Sequence, residues 1–401
     1  MKILVLNCGS SSIKYSLFET DGNKVLAEGR IEKIGEEYSI FIHETSGTSL
    51  KKKMKIKDHR AGLEVMLKAL TDSEIGVIND LSEISAVGHR VVHGGSEFVK
   101  STIIDDEVLE AIRKYSCLAP LHNPSNLLGI EILMDLLPDV PHVAVFDTAF
   151  HQTIPRVAHV YPIPYRYYRE FGIRRYGFHG TSHRYVSRKA AEILGRDVRE
   201  LKIITCHLGN GCSITAVDGG KSVDTSMGFT PLEGVPMGTR SGDIDPSIIQ
   251  FLIEKEKLTV REVFDILNRR SGLLGVSEIS NDLREVKEAA DKGDEKAKLA
   301  IEILSYRVKK YIGAYAAVMG GVNVIVFTGG IGENAHYIRS AVCRGLQFLG
   351  VNIDNERNME PMKHNGIISS DDSKVKVLVI PTREDMIIAS EVLEAVNPKK
   401  K

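Results

Sequence analysis

The amino-acid sequence predicts an α/β protein of two duplicated lobes facing a shared cleft, and two observations predict it. Short β-branched runs alternate with longer helical patterns along the 401 residues, the signature of mixed α/β architecture. A particular order of elements then occurs twice, about 200 residues apart, which is the mark of an internal duplication. A chain of this length accommodates two or three domains, and 43% apolar with 26% charged residues is ordinary globular composition.

The first copy opens the chain. Ile3–Leu6 reads as a strand, Asn7-Cys8-Gly9-Ser10-Ser11-Ser12 as a small-residue loop and Ile13–Phe18 as the returning strand. A turn at Asp21-Gly22 leads into Lys24–Ala27. The second copy has Lys202–Cys206, the loop His207-Leu208-Gly209-Asn210-Gly211, the strand Ser213–Val217 and the turn Asp218-Gly219-Gly220. Few residues are identical between the copies, and two unrelated hairpins are the alternative reading. Further on, Leu304, Val308, Ile312 and Tyr315 mark one face of a helix ending at Gly320-Gly321. A buried strand Val324–Phe327 follows, then a glycine loop Thr328–Asn334 and a helical pattern from Ala335. Strand, glycine loop, helix start is an arrangement that aims backbone N–H groups at an anion. The expected division is residues 1–150 and 151–384, with a C-terminal helix from about 385 packing back on the first lobe and a solvated lysine tail to 401. Lys51–Lys57 reads as an exposed strand edge.

Several function classes are excluded by charge and patterning. Lys+Arg (52) and Asp+Glu (53) nearly cancel, which leaves no basic field for nucleic acid and no polybasic membrane anchor. The N-terminal apolar run is too short for a signal peptide, and no apolar stretch is long enough to span a membrane. Five scattered cysteines without metal-ligand spacing fit a reduced compartment. The expectation is a cytoplasmic protein.

The chemistry-bearing segments come next. Between Asn7 and Lys14, small residues permit close approach to phosphate oxygens, the hydroxyls of Ser10 and Ser12 donate, and Lys14 supplies charge. The Walker pattern is absent, and a serine-rich hairpin turn is the structural alternative. Arg90 lies among glycines after a strand ending at Val87, suited to bidentate capture of a carboxylate or phosphate. Leu118–Pro124 reads as a rigid, non-helical wall, and Asp147 follows the strand His142–Phe146, where α/β sheets place ligand-facing groups. Arg174–His183 concentrates basic, aromatic and small residues, and Arg240 sits in a glycine-flexible loop. Glu384 and Asp385 follow a strand Val375–Ile380 at a helix start, as helix-capping residues or, alternatively, magnesium ligands.

Taken jointly, these strings resemble the acetokinase family. Leu6–Lys14, His89–Gly94, Tyr176–His183, His207–Gly211, Gly238–Asp243 and Phe327–Asn334 occur in the family's order and span essentially the whole chain. The resemblance implies two actin-like (sugar-kinase-like) lobes, a cytoplasmic homodimer, and reversible phosphoryl transfer between ATP and acetate that gives acetyl phosphate and ADP. By position it implies Asn7 and Glu384 as magnesium-site residues, with manganese as a substitute ion, and Lys14 as a nucleotide contact. Arg90 is implied as the substrate contact, Asp147 as the active-site carboxylate, and His179 and Arg240 as transition-state stabilisers. His207, Leu208, Gly209, Asn210 and Gly211, then Asp282, Leu283 and Arg284, then Gly330, Ile331, Gly332, Glu333 and Asn334 are the implied ATP-binding stretches. Val92, Leu121, Phe178 and Pro231 are the implied pocket for the substrate methyl. One departure is Glu278, where relatives commonly have glycine.

A carboxylate nucleophile is already ionised at neutral pH, so no general base is needed. The barrier is repulsion between two anions, and Arg90, Arg240, His179 and a divalent cation are expected to converge on it. Asp147 is then expected to position the metal or orient a neighbour, not to take a proton. Propionate or another short-chain acid is the alternative substrate; an actin-like nucleotide-dependent interaction protein is the alternative outside enzymes.

Overall fold

The computed structural model describes residues 1–21, 24–120 and 122–397. Gly22, Leu121 and the tail from Pro398 fall outside the described residues, so the Asp21-Gly22 turn, Leu121 and the lysine tail receive no structural account. The chain divides into two compact units, one of Met1–Ala149 joined by the chain from Arg383 onward, the other of Phe150–Thr382.

The first unit is built on β1 (Lys2–Cys8), β2 (Ser12–Glu19), β3 (Lys24–Glu32), β4 (Ser39–Thr45), β5 (Ser49–Met54), β6 (Ile84–Val91), β7 (Thr102–Ile103) and β8 (His142–Phe146). They form one sheet in the order β5-β4-β3-β2-β1-β6-β8-β7. The second unit carries β9 (Lys202–Leu208), β10 (Cys212–Asp218), β11 (Lys221–Thr225), β12 (Val324–Thr328) and β13 (Lys376–Val379), in the order β11-β10-β9-β12-β13.

The two sheets share a topology. In each, an antiparallel three-strand meander hands over at its first strand to two parallel strands: β3-β2-β1-β6-β8 and β11-β10-β9-β12-β13. Helices fill equivalent places. His59–Leu70 precedes β6 as Glu295–Val318 precedes β12, and Asn123–Leu136 precedes β8 as His336–Cys343 precedes β13. The duplication is therefore visible in connectivity even where identities are few.

Both faces of the first sheet are covered, as a parallel sheet centre requires. Leu4 and Leu6 pack with Leu63, Met66 and Leu70 of the helix His59–Leu70. Ile3 and Val5, pointing the other way, pack with Ile388 and Val392 of the helix Glu384–Val396. That helix lies so near the sheet that a Cβ at Gly88 would come within 2.6 Å of Val392 Cγ2. In the second unit Val186 and Ala190 of the helix Gly180–Ile193 pack on Ile203, Val217, Val324 and Leu378.

The elements depart from the sequence reading at both hairpin loops, where β1 takes in Asn7 and Cys8 and β9 takes in His207 and Leu208, and elsewhere. β3 runs to Glu32, well past Ala27, because a Cβ at Gly29 would run into the Tyr15 ring and its absence lets the strand pass. β6 runs through Val91, so Arg90 lies within a strand and not beyond one. Asn123 and Pro124 form the first turn of a helix, with proline at its start where the missing N–H costs nothing. The glycine loop after β12 is itself helical, Gly329–Asn334, started by Thr328 in extended conformation. Among the described residues no helix is long and apolar enough to cross a membrane, and Cys8, Cys206, Cys212 and Cys343 are free and buried.

Candidate active site

In the first unit, β1 ends where its loop begins, and the pairing sets Asn7 opposite Lys14 of β2. The loop is closed by a hydrogen bond from Gly9 N to Ser12 O at 2.8 Å, and the Gly9 carbonyl accepts from or faces His59 Nε2 at 2.8 Å. Lys14 is exposed on its strand. Two buried asparagines of the helix Asn123–Leu136 hold the segment that follows β6. Asn126 Oδ1 accepts from Val92 N (3.2 Å) while its Nδ2 donates to Cys8 O (2.8 Å), tying the ends of β6 and β1 together. Asn123 accepts from His93 N at 3.0 Å and donates to His93 O at 2.9 Å.

Arg90 meets Asp147 in a bidentate pair: Nε donates to Oδ1 at 3.1 Å and Nη2 to Oδ2 at 2.9 Å. Its Nη1 lies 3.6 Å from Glu384 Oε2, and the neighbouring Asp385 accepts a 2.6 Å hydrogen bond from Ser16. The Asp147 charge, then that of Glu384, holds the Arg90 guanidinium far above its already high pKa. Burial pushes the Asp147 carboxyl up, opposed by Arg90 and reinforced by Glu384. Asp385 is likewise raised by burial, with the Ser16 bond and the charges of Arg90 and Lys14 pulling the other way. Asn7, Lys14, Arg90, Asp147 and Glu384 all lie in this unit, together with Val92, which is buried.

Asn7 and Glu384 are the candidate metal residues. No group of three or more His, Cys, Asp or Glu side chains suited to a metal occurs among the described residues. Magnesium asks for less, since one or two carboxylate or amide oxygens with water and phosphate complete its shell. An oxygen-only donor set fits that ion and does not suit a thiolate or imidazole site.

The second unit places His179 at the start of the helix Gly180–Ile193 with φ +55, a left-handed conformation rare for a side chain of this size. Its Nδ1 lies 2.8 Å from Ser213 Oγ, and its ring stacks on His207 with centroids 4.2 Å apart. His207 Nδ1 in turn meets Ser182 Oγ at 2.9 Å. A Cβ at Gly211 would lie 3.5 Å from His179 Nε2 and 3.6 Å from Arg240 Nη1. The bare glycine thus leaves a space flanked by both donors. Arg240 Nη1 donates to the Pro231 carbonyl at 3.4 Å, and burial lowers the guanidinium's pKa. No carboxylate pairs with Arg240 among the described residues. Phe178 is buried, and its carbonyl faces His151 Nε2 at 2.9 Å.

A cavity of about 720 Å³ opens in the same unit, lined by Gly209, Asn210, Asp282, Leu283, Arg284, Gly330, Ile331 and Asn334. Asn281, Ala335 and Tyr337 also line it, and sequence reasoning missed them. Other expected contacts do not line it. Leu208 is fully buried in the core. Glu333 Oε1 accepts from Gly329 N (3.1 Å) and Thr382 N (3.0 Å), so this carboxylate secures the helical turn. Gly332 and Glu333 give their carbonyls to Arg339 Nη1, both at 2.9 Å, and Arg339 is only 1% exposed. No local pattern announces Arg339, because its partners are backbone carbonyls and Asn358.

The chain matches the acetokinase family model over residues 2–390. It is 58% identical to an acetate kinase of Thermotoga maritima, over 99% of both chains. It is 57% identical to an acetate kinase of Thermoanaerobacter pseudethanolicus over the full length of both. Among solved structures, the acetate kinase of Porphyromonas gingivalis superposes with a TM-score of 0.93 at 46% identity, covering 99% of this chain and all of that one. A propionate kinase of Francisella tularensis superposes with a TM-score of 0.92 at 44% identity, covering 98% of this chain and 99% of that one. Two topologically matched sheets, an arginine and a histidine flanking one glycine and full-length relatedness agree, and the chain belongs to the acetokinase family.

Proposed function

We propose that this protein is a kinase that transfers the γ-phosphoryl group of ATP to the carboxylate of acetate, reversibly, giving acetyl phosphate and ADP. The observation that carries the reading is Arg240, a partly buried guanidinium with no carboxylate partner among the described residues, flanking the same glycine as His179. Such a cation suits an anionic ligand, and the transferring phosphoryl is the anion the family's chemistry provides. The nucleotide is assigned to the 720 Å³ cavity, whose glycine and asparagine lining lets a polyanion approach the backbone.

Acetate needs no base, since a carboxylic acid of ordinary pKa is ionised at neutral pH. Arg90 binds and orients it, and Asp147 holds the Arg90 fork in one plane through two hydrogen bonds. His179 and Arg240 stabilise the charge that spreads over the equatorial oxygens. Removing one such preorganised donor costs about 3–4 kcal/mol in other enzymes. Asn7 and Glu384 are the residues that would hold magnesium, with manganese as a substitute, and Asp147 would orient the ion or a neighbour. When bound, that ion neutralises phosphate charge. Lys14 adds positive charge for the nucleotide. Val92, Phe178 and Pro231 are proposed to line the space for the acetate methyl group, and the working form is proposed to be a cytoplasmic homodimer.

The 44% identity to a propionate kinase favours propionate as the second reading. Trapping acyl phosphate as hydroxamate, with ATP, magnesium and each acid in turn, tests both. Acetyl hydroxamate at the higher kcat/KM supports the proposal. A larger value for propionate reassigns the substrate, and no hydroxamate from any acid overturns the kinase reading.

A further inference from the structure

Behind His179 stands a series of buried polar side chains. Thr205 in β9, His183 in the helix Gly180–Ile193 and Ser213 in β10 are all 0% exposed. Their atoms are arranged in line. Thr205 Oγ1 lies 2.7 Å from His183 Nδ1, His183 Nε2 lies 2.7 Å from Ser213 Oγ, and Ser213 Oγ lies 2.8 Å from His179 Nδ1. Each hydroxyl has one proton to give, and a neutral imidazole has one donor and one acceptor nitrogen. Among the described residues the Ser213 hydroxyl has no acceptor but these two ring nitrogens, so for every proton in the series to be used they all run one way or all run the other.

The far end decides the direction. The competing acceptor for the Thr205 hydroxyl is the Thr215 carbonyl at 3.5 Å, at the edge of hydrogen-bond range, against 2.7 Å to His183 Nδ1. Thr205 therefore donates to His183 Nδ1, His183 Nε2–H donates to Ser213, and the Ser213 hydroxyl donates to His179 Nδ1. We propose that Thr205, His183 and Ser213 are positioning residues that lock His179 in the neutral tautomer whose proton is on Nε2, making that nitrogen a hydrogen-bond donor to the transferring phosphoryl group without an added charge.

Two further features agree. His183 stays neutral, because burial, helped by His151 and His207, holds its pKa well below the ordinary value. The Arg240 guanidinium flanks the same glycine as His179 Nε2 and already supplies a full positive charge at that space, so the imidazole has only a hydrogen bond to add. A neutral donor is therefore the useful form, and the opposite tautomer would turn a lone pair toward phosphoryl oxygens.

The inference rests on the phosphoryl-transfer reading for its purpose, while its first test does not depend on activity. In the full-length protein labelled with ¹⁵N in the histidine rings at pH 8, with His179→Gln used for assignment, His179 is expected to be protonated on Nε2 alone. A proton on Nδ1 alone, or on both nitrogens, overturns the proposal. Ser213→Ala is expected to lower kcat by about 10–100-fold, with KM for ATP and acetate within about twofold, and Ser213→Thr to recover most of the loss. A folded Ser213→Ala protein with kcat within twofold of wild type, or a folded Ser213→Thr protein as slow as Ser213→Ala, also overturns it. If Ser213→Ala does not fold, the wild-type spectrum decides. A wild-type protein inactive with every carboxylic acid removes the phosphoryl-transfer reading, and the spectrum still reports the tautomer.

Discussion

Arg90 and Asp147 face each other through two parallel N–H···O bonds, 3.1 and 2.9 Å long, with the carboxylate side chain only 4% exposed. Each member needs the other. Replacing Arg90 with Met strands a buried carboxylate, which costs about 3–5 kcal/mol of stability in comparable buried pairs. Replacing it with Lys keeps the charge but loses the fork. Urea denaturation is expected to rank wild type above Arg90→Lys and Arg90→Met lowest; an Arg90→Met midpoint equal to wild type would contradict the pairing.

Burial of histidines makes stability depend on pH. His151 is held at about 4 and His93 at about 3, against an ordinary 6.5, in both cases because burial disfavours the charged ring. Below pH 6.5 the unfolded chain takes up protons that the folded chain refuses, so stability falls as pH falls. The loss starts near 6.5 and runs down to about 4 for His151 and about 3 for His93. Each contributes about 1.4 kcal/mol per pH unit inside its window. Denaturation midpoints at pH 7.5 and 5.5 check this, and equal midpoints would refute it.

Much of the fold was readable because its signals are local. Alternation and β-branched runs mark β1, β2, β9 and β10, and the face Leu304, Val308, Ile312 and Tyr315 is buried as its spacing predicts. The helical turn Gly329–Asn334 was not readable, since glycines there suggest a loop. The turn is held by Glu333 Oε1 and by Arg339, whose guanidinium reaches back from the following helix. The Ser213–His183–Thr205 series was hidden for a similar reason: three ordinary polar residues acquire meaning only when β9, β10 and a helix are packed together.

Arg339 offers a separate check on the cavity proposed for the nucleotide. Its cation binds the Gly332 and Glu333 carbonyls at the end of the turn that contributes Gly330, Ile331 and Asn334 to the cavity. Arg339→Lys keeps the charge but cannot reach all these acceptors. KM for ATP is expected to rise by about tenfold, roughly 1.4 kcal/mol of binding, with KM for acetate unchanged. An equal rise in both constants would argue against a local role.

Glu278, where the resemblance to the family makes glycine the common residue, adopts φ +59 at the end of the helix Gly272–Ser277. A left-handed backbone costs a non-glycine residue about 1–2 kcal/mol, and glycine gives back roughly 0.5–1 kcal/mol in unfolded-chain entropy. Its ion pair with Lys296 is exposed on both sides and adds little. Glu278→Gly is expected to raise the melting temperature by about 1–3 °C, while Glu278→Ala gives no gain. A lower melting temperature for the glycine variant would contradict the strain.

On the proposed mechanism the phosphoryl group moves in a single direct transfer, in which cations and fixed donors allow an already ionised carboxylate to attack phosphorus. The most direct measurement is the stereochemical course with ATP made chiral at the γ-phosphorus. One in-line displacement predicts inversion of configuration in the acetyl phosphate formed. Net retention would demand a phosphorylated protein intermediate, with Glu384 the first suspect, and would contradict direct transfer.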